Sequence, residues 1–318
     1  LRYEFTEAHS NLGLTLYELG RLDEAEASFR QAIIFKPDYA DAHNNLGITL
    51  KELGRLDEAE ASLRQAIALK PDYAEAHNNL GSTLQALGRL GESVSAYARA
   101  ISFKADFDSA EYNLGLVLKR ARFTAGDQSL YPILSNLLKK KNCARPSDVT
   151  GAILSLLRLD NLIEDALLNT TASSDIKEVD RTIKTLAQVP LLHQLMRLCP
   201  LPDLQLEALF ASMRRVILAS CGQGEASPEL IYFLSTLSLH CFTNEYVYFE
   251  TEKESEQINF LESAIAGSIA QASQPTIAEI LILAAYRPLH KYEWSEKLRV
   301  LDQLPDVKMR LVEEPLSE

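Results

Sequence analysis

The glycines Gly13, Gly47, Gly81 and Gly115 stand 34 residues apart, and whole segments repeat around them. Glu7–Ala8–His9–Ser10–Asn11–Leu12–Gly13 aligns with Asp41–Ala42–His43–Asn44–Asn45–Leu46–Gly47 and with Glu75–Ala76–His77–Asn78–Asn79–Leu80–Gly81. Leu19–Gly20–Arg21–Leu22–Asp23–Glu24–Ala25–Glu26 returns as Leu53–Gly54–Arg55–Leu56–Asp57–Glu58–Ala59–Glu60. A unit of this length cannot bury its apolar face alone, so neighbouring units must stack into a solenoid with a continuous core. The period sets the architecture of the first third before any local propensity is weighed, and it points toward binding rather than chemistry.

Each unit reads as two helices. Leu46, Ile48, Leu50 and Leu53 fall mostly on one helical face. Gly54 then ends the helix, since Gly takes the left-handed conformation at little cost. Asp57 and Glu58 suit the positive end of a second helix, which runs through Leu63, Ala66 and Ile67 to Lys70 and stops at Pro71. Gly47 lies inside the first helix, where Gly costs roughly 1 kcal/mol relative to Ala. Its recurrence implies that the paired helices approach closely there, and Ala42, Ala59 and Ala66 are small for the same reason.

Asn45, Leu46 and Gly47, followed by Gly54, Ala59, Leu63, Ala66 and Pro71, resemble the tetratricopeptide repeat consensus, with His43 where an aromatic is usual. The resemblance implies an all-α fold, a right-handed superhelix of helix pairs, over residues 1–122. Three full repeats span about 6–39, 40–73 and 74–107, and a partial fourth spans 108–122. In the fourth, Tyr112, Leu114 and Gly115 keep register, but Arg122 replaces the turn glycine, Asp127 the small alanine, and Pro132 falls inside the expected second helix. Leu1 is not Met and Phe5 already fills the Tyr39 position, so the expectation is a chain that starts partway along a longer array.

The net charge of −12 is shared: residues 1–121 carry 13 basic and 18 acidic side chains, and the remainder 19 and 26. Neither half offers the basic surface that a phosphate backbone requires, so no nucleic-acid partner is expected. There is no run of about 18 apolar residues and no signal-peptide pattern, so no membrane partner is expected and the location reads as cytoplasmic. Cys143, Cys199, Cys221 and Cys241 are widely and irregularly spaced, which reads as reduced thiols without a metal.

The period vanishes after about Thr124, but helix signals continue, so residues 123–318 read as an irregular, mostly helical domain packed on the last repeat. Ser147 and Asp148 precede an apolar run at 149–159, and Ser173 or Ser174 starts a helix through Val179, Ile183 and Leu186. A further helix covers Leu204–Ala219. Ser227–Pro228–Glu229 opens another, and Thr251 with Glu254 and Thr276 with Glu279 form capping boxes. The one strand-like stretch is 246–249. Residues 130–138 should dock on the Tyr112, Leu114 and Val117 helix and stabilise the array. His240–Cys241–Phe242–Thr243–Asn244–Glu245–Tyr246–Val247–Tyr248, Pro288–Leu289–His290 and Glu313–Glu314–Pro315–Leu316–Ser317–Glu318 resemble a helical region of bacterial repeat-containing methyltransferases. That resemblance implies a severed S-adenosylmethionine-dependent domain beyond residue 318, and no cofactor for the chain itself.

His9, His43 and His77 recur at 34, but equivalent residues on stacked repeats lie at least about 8–10 Å apart, too far to share one ion. They read as packing residues. Asn11, Asn45, Asn79 and Asn113 form a second ladder, on the helix that lines the inner surface of a tetratricopeptide superhelix, and it is similar to the asparagine ladder of O-linked N-acetylglucosamine transferase repeats. An amide offers both donors and acceptors, so these residues either hold an extended peptide backbone or bond neighbouring helices. Asn44, Asn78, Tyr112, Tyr17, Lys51, Lys119 and Arg120 complete the candidate peptide site. Lys119 and Arg120 are its anion-accepting end unless they are merely solvated. His240, Asn244 and Glu245 among Tyr232, Phe233 and Phe242 form either a small pocket or a hydrogen-bonded core. No nucleophile–base–acid set stands out, so the reading is a non-enzymatic scaffold for a protein or peptide partner. Self-association through a solenoid end near Phe5, Leu12 and Leu16 is an alternative.

Overall fold

The computed structural model describes residues 2–140, 144–170, 175–222, 225–246 and 250–313. Three helix pairs open the chain: α1 (Arg2–Glu18) with α2 (Leu22–Phe35), α3 (Ala40–Glu52) with α4 (Leu56–Leu69), and α5 (Ala74–Ala86) with α6 (Leu90–Phe103). Gly20, Gly54 and Gly88 turn each pair at φ of +73°, +77° and +77°, a conformation that a Cβ makes costly. Within each pair the interior glycine faces a large side chain. A Cβ built on Gly13, Gly47 or Gly81 would stand 2.7 Å from Phe29, 2.6 Å from Leu63 or 2.8 Å from Tyr97. Those three side chains are at most 1% exposed, so none has room to retreat.

The pairs then stack. α1 packs on α3, α3 on α5, and α5 on α7 (Asp108–Leu118), while the second helices have no comparably close mutual packing. First helices therefore line the inside of the curve. Leu46 and Leu80, which face the preceding repeat, are 5% exposed each, whereas Leu12 at the same position in α1 is 50% exposed. Phe5 is exposed as well, but Leu16 is buried against Ala25, Phe29 and Leu50, so it does not belong to an open end face as the sequence suggested.

Ion pairs run along the second helices and cross between repeats. Arg55 joins Glu58 of its own repeat (2.7 Å) to Glu26 of the one before (2.7 Å), and Arg89 repeats this with Glu92 (2.7 Å) and Glu60 (2.6 Å). These guanidiniums hold the Glu58 and Glu92 carboxyls below their ordinary value. Arg55, Arg89, Glu58 and Glu92 are solvent-accessible, so the pairs within a repeat are worth little by themselves, whereas Glu26 and Glu60 are largely buried. The histidines behave as packing residues: His43 and His77 bond the carbonyls of Pro37 (3.0 Å) and Pro71 (2.9 Å), and His77 packs on Phe103.

After α7 the pattern breaks. Where a second helix was due, a short 3-10 turn (Gln128–Leu130) leads into α8 (Tyr131–Lys139), so Pro132 sits in a first turn, where it costs no hydrogen bond. α8 packs on α6, and Lys140 beyond it bonds Glu111 of α7 at 2.8 Å. The chain divides into two compact units, 1–123 with 127–152, and 124–126 with 153–318. This division groups residues 127–152 with the repeats, whereas the sequence placed the boundary after residue 122; it falls within α9 (Pro146–Leu157).

The regular elements of unit 2 are all helical among its described residues: α10 (Asn161–Thr170), α11 (Ile176–Leu186), α12 (Pro190–Leu198), α13 (Leu204–Ala219), α14 (Pro228–Thr243), α15 (Glu252–Ala270), α16 (Ile277–Ala284), then short 3-10 turns, α17 (Pro305–Lys308) and a π-helical turn (Met309–Glu313). Both capping boxes form. Asp175 caps α11, accepting from the Lys177 amide; Ser173 and Ser174 lie outside the described residues, as do Cys143 and 247–249 of the strand-like stretch. Tyr246 stands in the turn after α14.

Gly81→Ala is expected to lower stability by about 1–3 kcal/mol, even though Ala is roughly 1 kcal/mol the better helix former. Gly91→Ala, whose added methyl meets nothing within 4 Å, should instead raise it by up to about 1 kcal/mol. Urea titrations followed by circular dichroism check both.

Candidate functional site

Beside the Gly88 turn, where first helices end and second helices begin, the array carries an open cleft of about 570 Å3 that spans three repeats, with Leu56, Gly88 and Leu90 in its wall. Lys51 and Glu52 come from α3, Ser82 and Gln85 from α5, and Leu116 with Arg120 from α7 and its end. Lys51 Nζ donates to Ser82 Oγ at 3.1 Å and lies 3.6 Å from Glu52. Arg120 is exposed, while Lys119 is engaged by Asp148 at 3.1 Å. The structure thus separates the two cations that the sequence had paired: Arg120 lines the cleft, and Lys119 serves α9.

The asparagines do more than line the groove. Asn79 Nδ2 donates to Asn44 Oδ1 at 2.9 Å, Asn44 Nδ2 donates to Asn45 Oδ1 at 3.2 Å, and Asn113 Nδ2 donates to Asn78 Oδ1 at 3.3 Å. Each interhelical bond joins positions 35 apart and ties one first helix to the next. Asn44 is 4% exposed, so its amide is structural. Among the described residues the Asn45 amide nitrogen and the Asn79 and Asn113 oxygens take no part in these bonds. Asn11 and Tyr112 are exposed and Tyr17 is half-buried; burial pushes the Tyr17 hydroxyl above its usual value, with Glu52 adding to the effect.

In unit 2, His240 and Asn244 come together but form a core. His240 is fully buried; its Nδ1 donates to Met196 O at 3.2 Å and its Nε2 accepts from Asn244 at 3.3 Å. Glu245 is exposed. His193, 1% exposed, bonds Leu186 O at 3.2 Å and packs on Tyr232 and Phe233. Sequence reasoning missed the buried cation of this region. Arg214, 5% exposed, donates to Ala285 O at 3.1 Å and lies over the Tyr286 ring at 3.9 Å. Glu254 stands 4.0 Å from it and accepts from Tyr286 Oη at 2.9 Å. Arg214 sits in a mostly apolar helix with no sequence partner nearby, so only the capping Glu254 hinted at it. No group of His, Cys, Asp and Glu fit to hold a metal ion occurs among the described residues, and no helix is long and apolar enough to cross a membrane.

Comparison with known proteins matches this geometry to a family of repeats. Residues 13–54 and 49–88 match the TPR repeat family and 74–107 the tetratricopeptide repeat family. The repeats within residues 13–107 are thus matched as tetratricopeptide repeats. No curated protein matches the chain. Among solved structures, the first TPR of Spaghetti (RPAP3), bound to an HSP90 peptide, is 21% identical over 36% of this chain and 90% of its own, at a TM-score of 0.35. A Thermobaculum terrenum O-GlcNAc transferase is 22% identical over 43% of this chain and 26% of its own, at 0.38. Pseudomonas aeruginosa pilF is 19% identical over 85% and 98%, at 0.36. The family matches stop at residue 107, and of the residues that resemble a methyltransferase region, 247, 248 and 314–318 lie outside the described part.

Asn79→Ala strips the donor from the buried Asn44 oxygen and is expected to cost about 1–3 kcal/mol, whereas the exposed Asn11→Ala should change stability by no more than about 0.5 kcal/mol. Denaturant midpoints separate the two. Burial pushes the His193 and His240 imidazoles down to about 4 from an ordinary 6.5. The fold keeps them neutral, so their contribution is whole above pH 6.5 and is lost as pH falls toward 4, on the order of 3 kcal/mol each at the acid limit. The single tryptophan, Trp294, lies in unit 2. Its fluorescence melt should therefore fall between pH 6.5 and 4; a flat profile would contradict the assignment.

Proposed function

We propose that the inner face of the array receives an extended segment of a partner protein and that the chain works as a scaffold without chemistry of its own. The observation that carries this is the open cleft from Lys51 to Arg120, which crosses three repeats at the ends of the first helices and keeps Lys51, Arg120 and the Gln85 amide in reach of a bound backbone. The unengaged Asn45, Asn79 and Asn113 amide atoms supply donors and acceptors that read a peptide without reading its sequence. At about 1 kcal/mol net per bond, against an association cost of about 4–15 kcal/mol, these groups alone bind weakly. Side chains of the partner must therefore fill the apolar floor at Leu116 and Val117. Lys51 and Arg120 favour a partner with acidic residues, while the net charge of −12 disfavours a phosphate backbone.

Lys51→Ala with Arg120→Ala is expected to weaken peptide capture on an acidic-peptide array by about tenfold or more, with the melting temperature unchanged. The outcome that sinks the reading is undiminished binding by a folded double variant.

A further inference from the structure

Unit 2 holds a second cleft, of about 580 Å3, lined only by its own residues, from four helices and the connection between α13 and α14. Small-molecule sites span about 300–1,000 Å3. The floor is aliphatic: Ile183, Ile217 and Ile282 are 1%, 2% and 5% exposed, and Ile176 and Leu230 extend it. These residues belong to α11, α13, α14 and α16, which pack on one another, so the shape rests on helix packing.

The rim is polar but electrically balanced. α11, α14 and α16 all begin at the cleft, at Ile176, Ser227 and Thr276, and each N-terminus acts as about half a positive charge. Lys177 adds a full one. Opposing them are Glu225, Glu279 and the capping Asp175, while Asp180 is neutralised by Lys184 at 2.6 Å. The two signs come to about 2.5 and 3 charges, so a charged head group gains little net attraction from the rim and would lose its hydration there. Burial raises the Cys221 thiol in the wall, which leaves that wall neutral too. Two hydroxyls keep hydrogen-bonding capacity. Ser227 Oγ accepts the Leu230 amide at 3.2 Å, and its own hydrogen has no acceptor among the described residues; Ser220 Oγ donates to Ile217 O at 2.9 Å and keeps its lone pairs.

We propose that this cleft binds an uncharged aliphatic molecule whose head group accepts from Ser227 and donates to Ser220. An alcohol oxygen can both accept and donate, and the isoleucine floor takes its chain. The test uses the whole chain with its isoleucine methyls labelled, titrated with n-octanol and followed by NMR. Shifts should be confined to Ile176, Ile183, Ile217 and Ile282, with Ile67 and Ile101 of unit 1 unmoved. No shifts at millimolar n-octanol, or shifts that reach Ile67 and Ile101 equally, would overturn the site. In a parallel titration, n-octanol should bind at least about threefold tighter than octanoate or octylammonium; equal or tighter binding of either ion would overturn the neutral head group.

Discussion

A missing methyl group closes each helix pair. Where Phe29, Leu63 and Tyr97 lie, a Cβ on Gly13, Gly47 or Gly81 would intrude to less than 3 Å, so a close-packed neighbour would have to shift. Helices brought this close leave their first members near enough to meet the first members of the next pair. Leu46 and Leu80 are buried by that meeting, and Asn44 reaches Asn79 across it. The stacking of first helix on first helix brings Lys51, Ser82 and Leu116 of three repeats to one cleft. Site and stability thus share one geometric origin, and a change at these glycines would be felt in both.

The period made the array legible because every repeat states the same rule: Gly at the close approach, Gly at the turn, Pro after the second helix. The amide bonds were legible only in part. Aligning the repeats puts Asn45 over Asn79, but the bond runs from Asn44 to Asn79, one residue off register, because stacked helices are rotated relative to one another. A ladder read at strict period misses a diagonal contact. Lys119 misled for a similar reason, since its partner Asp148 lies in a helix with no periodic relation to it.

The second unit was legible at its helix ends and opaque in between. Thr251 with Glu254 and Thr276 with Glu279 are local signals, complete within four residues, and both form. The pairing of Arg214 with Tyr286 and Glu254, or of His240 with Met196, spans dozens of residues. Nothing in a single aperiodic sequence marks such partners. The convergence of three helix starts on one cleft belongs to the same class, because it depends on tertiary packing alone.

The cross-repeat ion pairs give each unit two unlike ends. Glu26 and Glu60 offer a carboxylate forward, Arg55 and Arg89 offer a guanidinium backward, and the position that would continue the series holds Val94. A 34-residue segment of this kind carries both halves of its own junction, like a plug and its socket. Gene duplication within the array would therefore lengthen it without inventing a new interface, and the superhelix could grow by whole units while its seams stayed the same. At Val94 the ion-pair half of that junction ends, and the amide bond from Asn113 to Asn78 carries the stacking on to α7.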